Sequence, residues 1–203
     1  MGSNAPTLEL LIRSSAQREW AQVRKFHVWL FAFLVAAGLG LVVPGAASGA
    51  PYCGIAWGSL ARSSPGLTQA QVVNIRTGEQ ACFDRLVVDV NGTMAGYSVR
   101  YVPQVLQDGS GMPVDLRGNA FLQITINAPA YDSSGNSTYK PAAKNEVTNV
   151  SDYKTFRQVA FAGSFEGYTS LGLGVRARLP FRVFTLAGPG SGSRLVVDVA
   201  HMW

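Results

Sequence analysis

Cysteine, histidine and charged residues are all scarce in this chain of 203 residues. It has 2 cysteines and 2 histidines, and only 14% of its residues are charged, whereas 47% are hydrophobic. This composition excludes a disordered or fibrous chain. The 22 glycines and 10 prolines follow no repeat period, so a collagen-like protein is excluded as well. The sequence predicts a compact domain that is rich in turns.

The excess of basic residues is too small to predict a nucleic-acid partner. The whole chain carries a formal net charge of +5, and residues 51–203 carry 13 basic against 10 acidic residues, which leaves +3. No run of adjacent basic residues interleaved with aromatic residues is present. Because binding to nucleic acid depends on a basic patch that neutralises phosphates, we expect none here.

The N-terminal 50 residues have the order of a secretory signal. Arg24 and Lys25 precede the uncharged apolar run 28–43, and Pro44 and several small residues follow it. Cleavage after Ala47 fits the small residues best. The alternative is an uncleaved membrane anchor, because residues 28–50 are all uncharged and a span needs roughly 20 residues. Both interpretations predict that 51–203 is exported to the cell envelope or secreted, with this segment as its only contact with a membrane.

The two cysteines, Cys53 and Cys82, both follow this segment. An even pair in an oxidising compartment predicts one disulfide, which would fasten the start of the exported domain. Zinc binding is the weaker alternative, because two cysteines and His201 lack the spacing of a zinc site. We therefore expect neither a metal nor a cofactor.

Alternating apolar residues and turn-forming residues recur along 51–203. Leu122, Ile124 and Ile126, for example, lie on one side of a predicted strand. About eight short strands in two sheets predict an all-β sandwich, with at most one or two short helices, one of them near 67–73. The predicted strands are 71–76, 83–90, 96–105, 120–127, 156–166, 169–179, 181–186 and 193–200.

One segment occurs twice. Residues 84–90 and 193–199 are identical at six of seven positions and lie 109 residues apart. The repeat predicts two equivalent strands in a pseudo-symmetric sandwich. Because side chains alternate along a strand, the Arg and Asp of each copy lie on the same side. They form either a ligand-binding strip or ion pairs between strands, and the complementary charges favour ion pairs.

Several segments resemble the AMIN-like domain of secreted proteins in high-GC Gram-positive bacteria. The nearest match to the related AMIN domain is Phe-Arg-Val-Phe at 181–184, followed by Arg-Leu-Val-Val-Asp-Val at 194–199. The resemblance covers nearly all of 51–203 and implies a symmetric β-sandwich that acts at the cell wall. The AMIN domain accompanies wall amidases; no amidase follows here, so we expect a module that does not direct a catalytic domain. The other similar segments are 53–60, 82–90, 96–102, 128–132, 156–167 and 174–180.

The catalytic alternatives are weak. A Ser-His-acid triad would have to use His201, and the sequence has no Gly-x-Ser-x-Gly motif. A glycan hydrolase would need two carboxylates at a defined separation, for which Glu166 and Asp132 are the most suggestive pair. A solvated Glu and a turn-forming Asp explain these two equally well. We expect no catalytic residues.

Arginines supply the better candidates for a binding site. Arg176 and Arg178 are two apart on a predicted strand, so both are expected to point the same way, and guanidinium groups suit carboxylates. The prediction is a non-catalytic module that binds peptidoglycan or an anionic wall polysaccharide. A solvated outer surface explains the same arginines, and an adaptor for another envelope protein is the competing function. The remaining candidates are Arg182, Arg100 and Arg157, with Tyr101 and Tyr131 for stacking on sugar rings.

Overall fold

The computed structural model describes residues 51–203, and the predicted signal or anchor segment, 1–50, lies outside the described residues. The described part is an all-β structure with two main antiparallel sheets, as the sequence predicts. One sheet has five strands in the order β1-β4-β7-β9-β8, and the other has four in the order β10-β11-β3-β2. A short ribbon, β5-β6, accompanies them. The strands are β1 (Arg62–Ser64), β2 (Val72–Glu79), β3 (Phe83–Val90), β4 (Tyr97–Val102), β5 (Val105–Leu106), β6 (Pro113–Val114), β7 (Ala120–Ile126), β8 (Phe156–Phe165), β9 (Tyr168–Val175), β10 (Phe181–Ala187) and β11 (Ser193–Ala200).

The core lies between the two main sheets and follows the alternation of the sequence. Leu122, Ile124 and Ile126 of β7 are fully buried, which confirms the predicted inward side of that strand. Leu86 and Val88 of β3 are fully buried as well. Burying branched apolar side chains from both sheets removes their surface from water and drives the sheets together.

The repeated segment forms the central pair of the four-stranded sheet. Strands β3 and β11 pair in antiparallel register, with Val87 opposite Val196, and these two residues are themselves 109 positions apart. The two copies are therefore related by a local twofold axis that passes between Val87 and Val196. The prediction that they occupy equivalent places is confirmed.

All eight predicted strands are present, and 83–90 and 193–200 have the predicted bounds. The predicted strand 96–105 is too long, because β4 ends at Val102, just before Pro103. The prediction of a short helix near 67–73 was wrong, because these residues form a loop and the start of β2, whose Val72 is buried. Tyr52–Gly54 forms a 3-10 turn. Within 51–203 we find no helix with the length and apolar character needed to cross a membrane.

The predicted strand 169–179 also ends early, at Val175. The amide of Arg176 donates to the carbonyl of Thr155, and the chain then turns, with the amide of Leu179 donating to the carbonyl of Ala177. It enters the other sheet as β10. Arg176 and Arg178 therefore lie on a crossover between the sheets and not on a strand, so their side chains do not share the direction that strand geometry predicts.

Candidate functional site

A cluster of charged and aromatic side chains lies on the outer side of the four-stranded sheet. Its centre is Asp198 of β11, which faces Arg85 of β3 and Arg182 of β10 in the strand register. We call it the arginine-aromatic cluster, and its members are Trp57, Phe83, Arg85, Arg182, Phe184 and Asp198.

Asp198 holds both arginines. Its carboxylate is fully buried and accepts from Nε and an Nη of Arg85, at 2.7 and 2.9 Å, and from Nε of Arg182 at 2.7 Å. The hydrogen bond to Asp198 raises the pKa of Arg85, so this guanidinium is firmly charged. Two cations surround one carboxylate, which leaves the group with one positive charge in excess.

Aromatic rings enclose the guanidinium groups. The central carbon of Arg182 lies 5.0 Å from the ring centre of Phe184, 5.2 Å from that of Phe83 and 5.6 Å from that of Trp57. Arg85 lies 5.1 Å from the ring centre of Phe83. Such contacts are favourable by about 0.5–2 kcal/mol each and restrict the rotamers of the arginines. The cluster therefore presents guanidinium groups in fixed positions.

The N-terminal segment of the domain supplies Trp57 and is fastened in two ways. Cys53 is joined to Cys82 by the predicted disulfide, next to Phe83 in the chain. Gly58 forms a bridge with Phe181 at the start of β10. These links hold Trp57 against Phe83, with ring centres 5.9 Å apart.

The cluster retains donors for a ligand. Arg182 is 31% exposed, and its terminal nitrogens have no hydrogen-bond acceptor among residues 51–203, since only its Nε contacts Asp198. A planar guanidinium binds a carboxylate or phosphate through two parallel hydrogen bonds. The terminal nitrogens of Arg182 are therefore donors that an anion could accept from.

Two of the predicted site residues adjoin this cluster. Arg178 is exposed, and the central carbon of its guanidinium lies 4.7 Å from the ring centre of Tyr101. One of its terminal nitrogens donates to the carbonyl of Ser59, which is two residues from Trp57 in the chain. The hydroxyl of Tyr101 donates to the carbonyl of Leu179 at 2.6 Å, and burial raises its pKa to about 12. Tyr101 thus positions Arg178 and has its own polar group satisfied.

The other predicted residues lie apart from the cluster. Arg176 donates to the carbonyl of His201, and Arg157 donates to the carbonyls of Tyr153 and Phe156. Arg100 is exposed on the five-stranded sheet, and Tyr131 accepts from the amide of Gly167 at 2.9 Å.

Together with Arg178 and Arg182, these residues do not line one surface. The prediction that Arg176 and Arg178 point the same way from one strand thus needs correction. Because the chain crosses from one sheet to the other after Val175, the two-residue spacing of Arg176 and Arg178 does not place their side chains on one side of a sheet.

The aromatic members of the cluster were missed from the sequence, although a signal for them existed. Phe83 and Arg85, and likewise Arg182 and Phe184, are each two apart on a strand, so each pair lies on one side of the sheet. Both arginines face Asp198 in the register. Alternating Arg and Phe on the two strands that flank β11 would therefore have indicated the cluster, whereas Trp57 comes from outside the sheet.

A second polar group closes the same end of the core. Glu79, Asp84 and His201 bring one ligand atom each to within 4.8 Å of one another, and Asp84 is fully buried. Asp84 contacts Nε2 of His201 at 2.9 Å and accepts from the amides of Thr155 and Phe156.

The remaining member, Glu79, pairs with Lys154 at 3.1 Å. Carboxylates and imidazole are metal ligands in general, but here each group already has a protein partner. The group therefore ties the end of β3 to β8 and to the residue after β11.

The suggested hydrolase pair does not have the character of a general acid and base. Asp132 accepts from the amides of Ser134 and Asn136 and from the side chain of Asn136, and these bonds lower its pKa. It is thus a turn-forming carboxylate held in its ionised form. Glu166 is exposed in the turn between β8 and β9, with a φ of 49°.

Comparison with known proteins gives one family. Residues 70–201 match the AMIN-like domain. No curated protein and no solved structure matches the chain. The matched region runs from just before β2 to the residue after β11, so it includes Arg85, Arg182 and Asp198, whereas Cys53 and Trp57 precede it.

Proposed function

Because the chain belongs to the AMIN-like domain family, we propose that it is a non-catalytic, exported module of the cell envelope that binds peptidoglycan or an anionic wall polysaccharide. The observation that carries this proposal is the excess guanidinium charge of the arginine-aromatic cluster. Arg182 is held by Asp198 but keeps its terminal donors free among residues 51–203. The anionic group of the ligand binds at Arg182 and Arg178.

The geometry favours binding of an anion over a purely structural ion pair. Both Arg85 and Arg182 contact Asp198, so the group keeps a net positive charge that an anion would neutralise. Because the rings of Trp57, Phe83 and Phe184 restrict the arginines, little side-chain entropy is lost when an anion binds. The half-buried rings of Trp57, Phe83 and Phe184 beside the guanidinium groups suit a sugar ring that carries the acid.

The features of the chain that point to export agree with this role. The apolar segment 28–43 has the order of a secretory signal, and the Cys53–Cys82 disulfide is typical of an oxidising compartment. The proposal of a non-catalytic protein rests on the residues that the hydrolase alternative would need. His201 is engaged with Asp84, and Asp132 with its own turn.

Co-sedimentation of the full-length chain with purified cell-wall material tests the proposal. Replacing Arg178 and Arg182 by Gln should weaken binding about tenfold or more, since each charge-assisted contact contributes about 1.5–3 kcal/mol. A matched variant, with Arg76 and Arg100 replaced by Gln, changes the charge equally elsewhere on the surface. It should bind as the unmodified chain does. Higher salt should weaken binding, because contacts with exposed charges are screened.

A charge-preserving variant separates geometry from charge. Arg182→Lys keeps the positive charge and can still reach Asp198, but it lacks the planar pair of donors. We expect its binding to fall toward that of the Gln variant. Equal loss of binding in the matched control would reject the cluster as the site. Absence of wall binding by the unmodified chain would reject the proposal in favour of an adaptor for another envelope protein.

A further inference from the structure

The N-terminal segment of the domain, residues 53–60, carries two of the contacts that position the arginines of the proposed anion site. The ring centre of Trp57 lies 5.6 Å from the central carbon of the Arg182 guanidinium. The carbonyl of Ser59 accepts from a terminal nitrogen of Arg178 at 3.2 Å. Both arginines therefore depend on this segment for part of their position.

The segment is otherwise only lightly attached to the sheets. None of its residues is buried, so it adds no residue to the core. Every hydrogen bond that residues 51–57 form within the described chain has both of its ends inside that stretch. The next residue, Gly58, exchanges two hydrogen bonds with Phe181, at 2.7 and 3.4 Å. On the N-terminal side of Gly58, the segment is thus held to the sheets by the Cys53–Cys82 disulfide and by the ring contacts of Trp57.

The disulfide lies where a thiol in solution can reach it. Cys53 is exposed and Cys82 is half-buried. The AMIN-like match begins at residue 70, and the buried residues that form the core begin at Val72. Because regions with few buried contacts open at a low cost in free energy, opening of the disulfide frees this segment while the two sheets stay folded.

We propose that the Cys53–Cys82 disulfide is a redox switch for the anion site, an inference that rests on the proposed function. In the oxidised form, Trp57 stays against Phe83 and restricts Arg182. In the reduced form, the segment before Gly58 leaves the sheet, Arg182 gains rotamers, and binding of an anion costs more side-chain entropy. Reduction therefore lowers the affinity for the wall without unfolding the domain.

The reductant is a dithiol, either a small molecule or an exported protein with two thiols. One of its thiolates attacks Sγ of Cys53, forms a mixed disulfide and releases the thiolate of Cys82, which takes up a proton. The second thiolate of the dithiol then attacks its own sulfur in the mixed disulfide and releases Cys53, which is protonated in turn. Two electrons pass to the protein disulfide, which becomes two thiols, and the dithiol becomes a disulfide.

Co-sedimentation of the full-length chain with purified cell-wall material, with and without dithiothreitol, tests the switch. Circular dichroism fixes a temperature at which both forms keep their strand signal. The reduced form should bind about threefold more weakly or less well still, since it loses the cation–π contact that restricts Arg182. Reoxidation should restore binding. The variant with Cys53 and Cys82 replaced by Ser should bind like the reduced chain and should not respond to dithiothreitol.

The position of Trp57 gives a readout that does not depend on the wall. Its indole NMR signal, assigned with the Trp57→Phe variant, should move toward that of a solvated Trp on reduction. Equal wall binding by both forms, or an unmoved indole signal, would reject the redox switch and leave the proposed function standing. Absence of wall binding in both forms would reject the proposed function and the switch together.

Variants with an intact disulfide separate the effect of Trp57 from that of stability. Trp57→Ala should bind wall material as weakly as the reduced chain, and reduction should weaken it little further. Trp57→Phe keeps a ring beside Arg182 and should retain most of the binding. Phe165→Ala, which removes an exposed ring in β8, should bind as the unmodified chain does. Full binding by Trp57→Ala would overturn the role of the segment.

Discussion

The two ends of the β3-β11 pair have the same residues in the same register, yet their side chains are arranged differently. At one end Arg85 faces Asp198, and at the other Arg194 faces Asp89, its counterpart under the local twofold. Arg85 pairs with Asp198 at 2.7 Å, whereas Arg194 donates instead to the carbonyl of Ala187 at 3.1 Å. Asp89 pairs with Arg76 of the neighbouring strand.

Burial accounts for this difference. Phe83 precedes the first copy, and the equivalent position before the second copy, 109 residues later, is Gly192. Phe83 packs with Trp57 and encloses the arginines, whereas glycine has no side chain with which to cover Arg194. Asp198 is fully buried, but the side chain of Asp89 is 20% exposed, beside an open groove. The Arg and Asp of the repeat therefore form a buried ion pair at the end where aromatic rings enclose the guanidinium groups.

The largest effect is expected from removing the Cys53–Cys82 disulfide, which holds Trp57 against Phe83. Replacing Cys53 and Cys82 by Ser opens a loop with a sequence separation of 29 residues. The chain-entropy model predicts a loss of about 3–4 kcal/mol in the free energy of unfolding. Thermal unfolding of the variant, and of the unmodified chain under reducing conditions, measures this. A loss below about 1 kcal/mol would contradict the chain-entropy account of this disulfide.

The buried end of the pair should be the next most sensitive. Asp198→Asn removes the one carboxylate among residues 51–203 that contacts Arg85 and Arg182, and we expect a loss of about 2–3 kcal/mol. This is less than for a fully buried pair, because the arginines are 29% and 31% exposed and water can reach them. Denaturant unfolding at neutral pH measures the change. A loss no greater than that of the matched variant at Asp89 would show that the aromatic cover has no electrostatic role.

The sequence was informative about the fold because local signals and tertiary packing agree there. The repeat indicated two equivalent strands, and the alternation in β7 indicated the core side of its sheet. Because the sequence has only two cysteines, it also predicted their disulfide. Each of these predictions depends on a pattern within short segments or on a count that leaves one solution, whereas the pairing of the two repeat strands with each other came from the structure.

The site was less predictable because it depends on contacts between distant parts of the chain. Arg182 was named as a candidate, but its partners Asp198 and Trp57 are brought to it by strand pairing and by the N-terminal segment. Folding also buries Oδ2 of Asp108 without a hydrogen-bond partner among residues 51–203, and a sequence pattern does not report such an environment.

The smallest effect is expected at the open end of the strand pair. Asp89→Asn is the same substitution as Asp198→Asn at the equivalent position, and Asn can still accept from Arg76 and contact Asn74. Because Arg76 is 50% exposed, its ion pair with Asp89 is surrounded by water, and we expect a loss of about 0–1 kcal/mol. The loss should shrink further in high salt, since exposed pairs are screened. Denaturant unfolding at two salt concentrations compares the covered carboxylate, which contacts two arginines, with the more open one, which pairs with Arg76. A salt-independent loss as large as that at Asp198 would contradict the assignment of Asp89 to an open, solvated end.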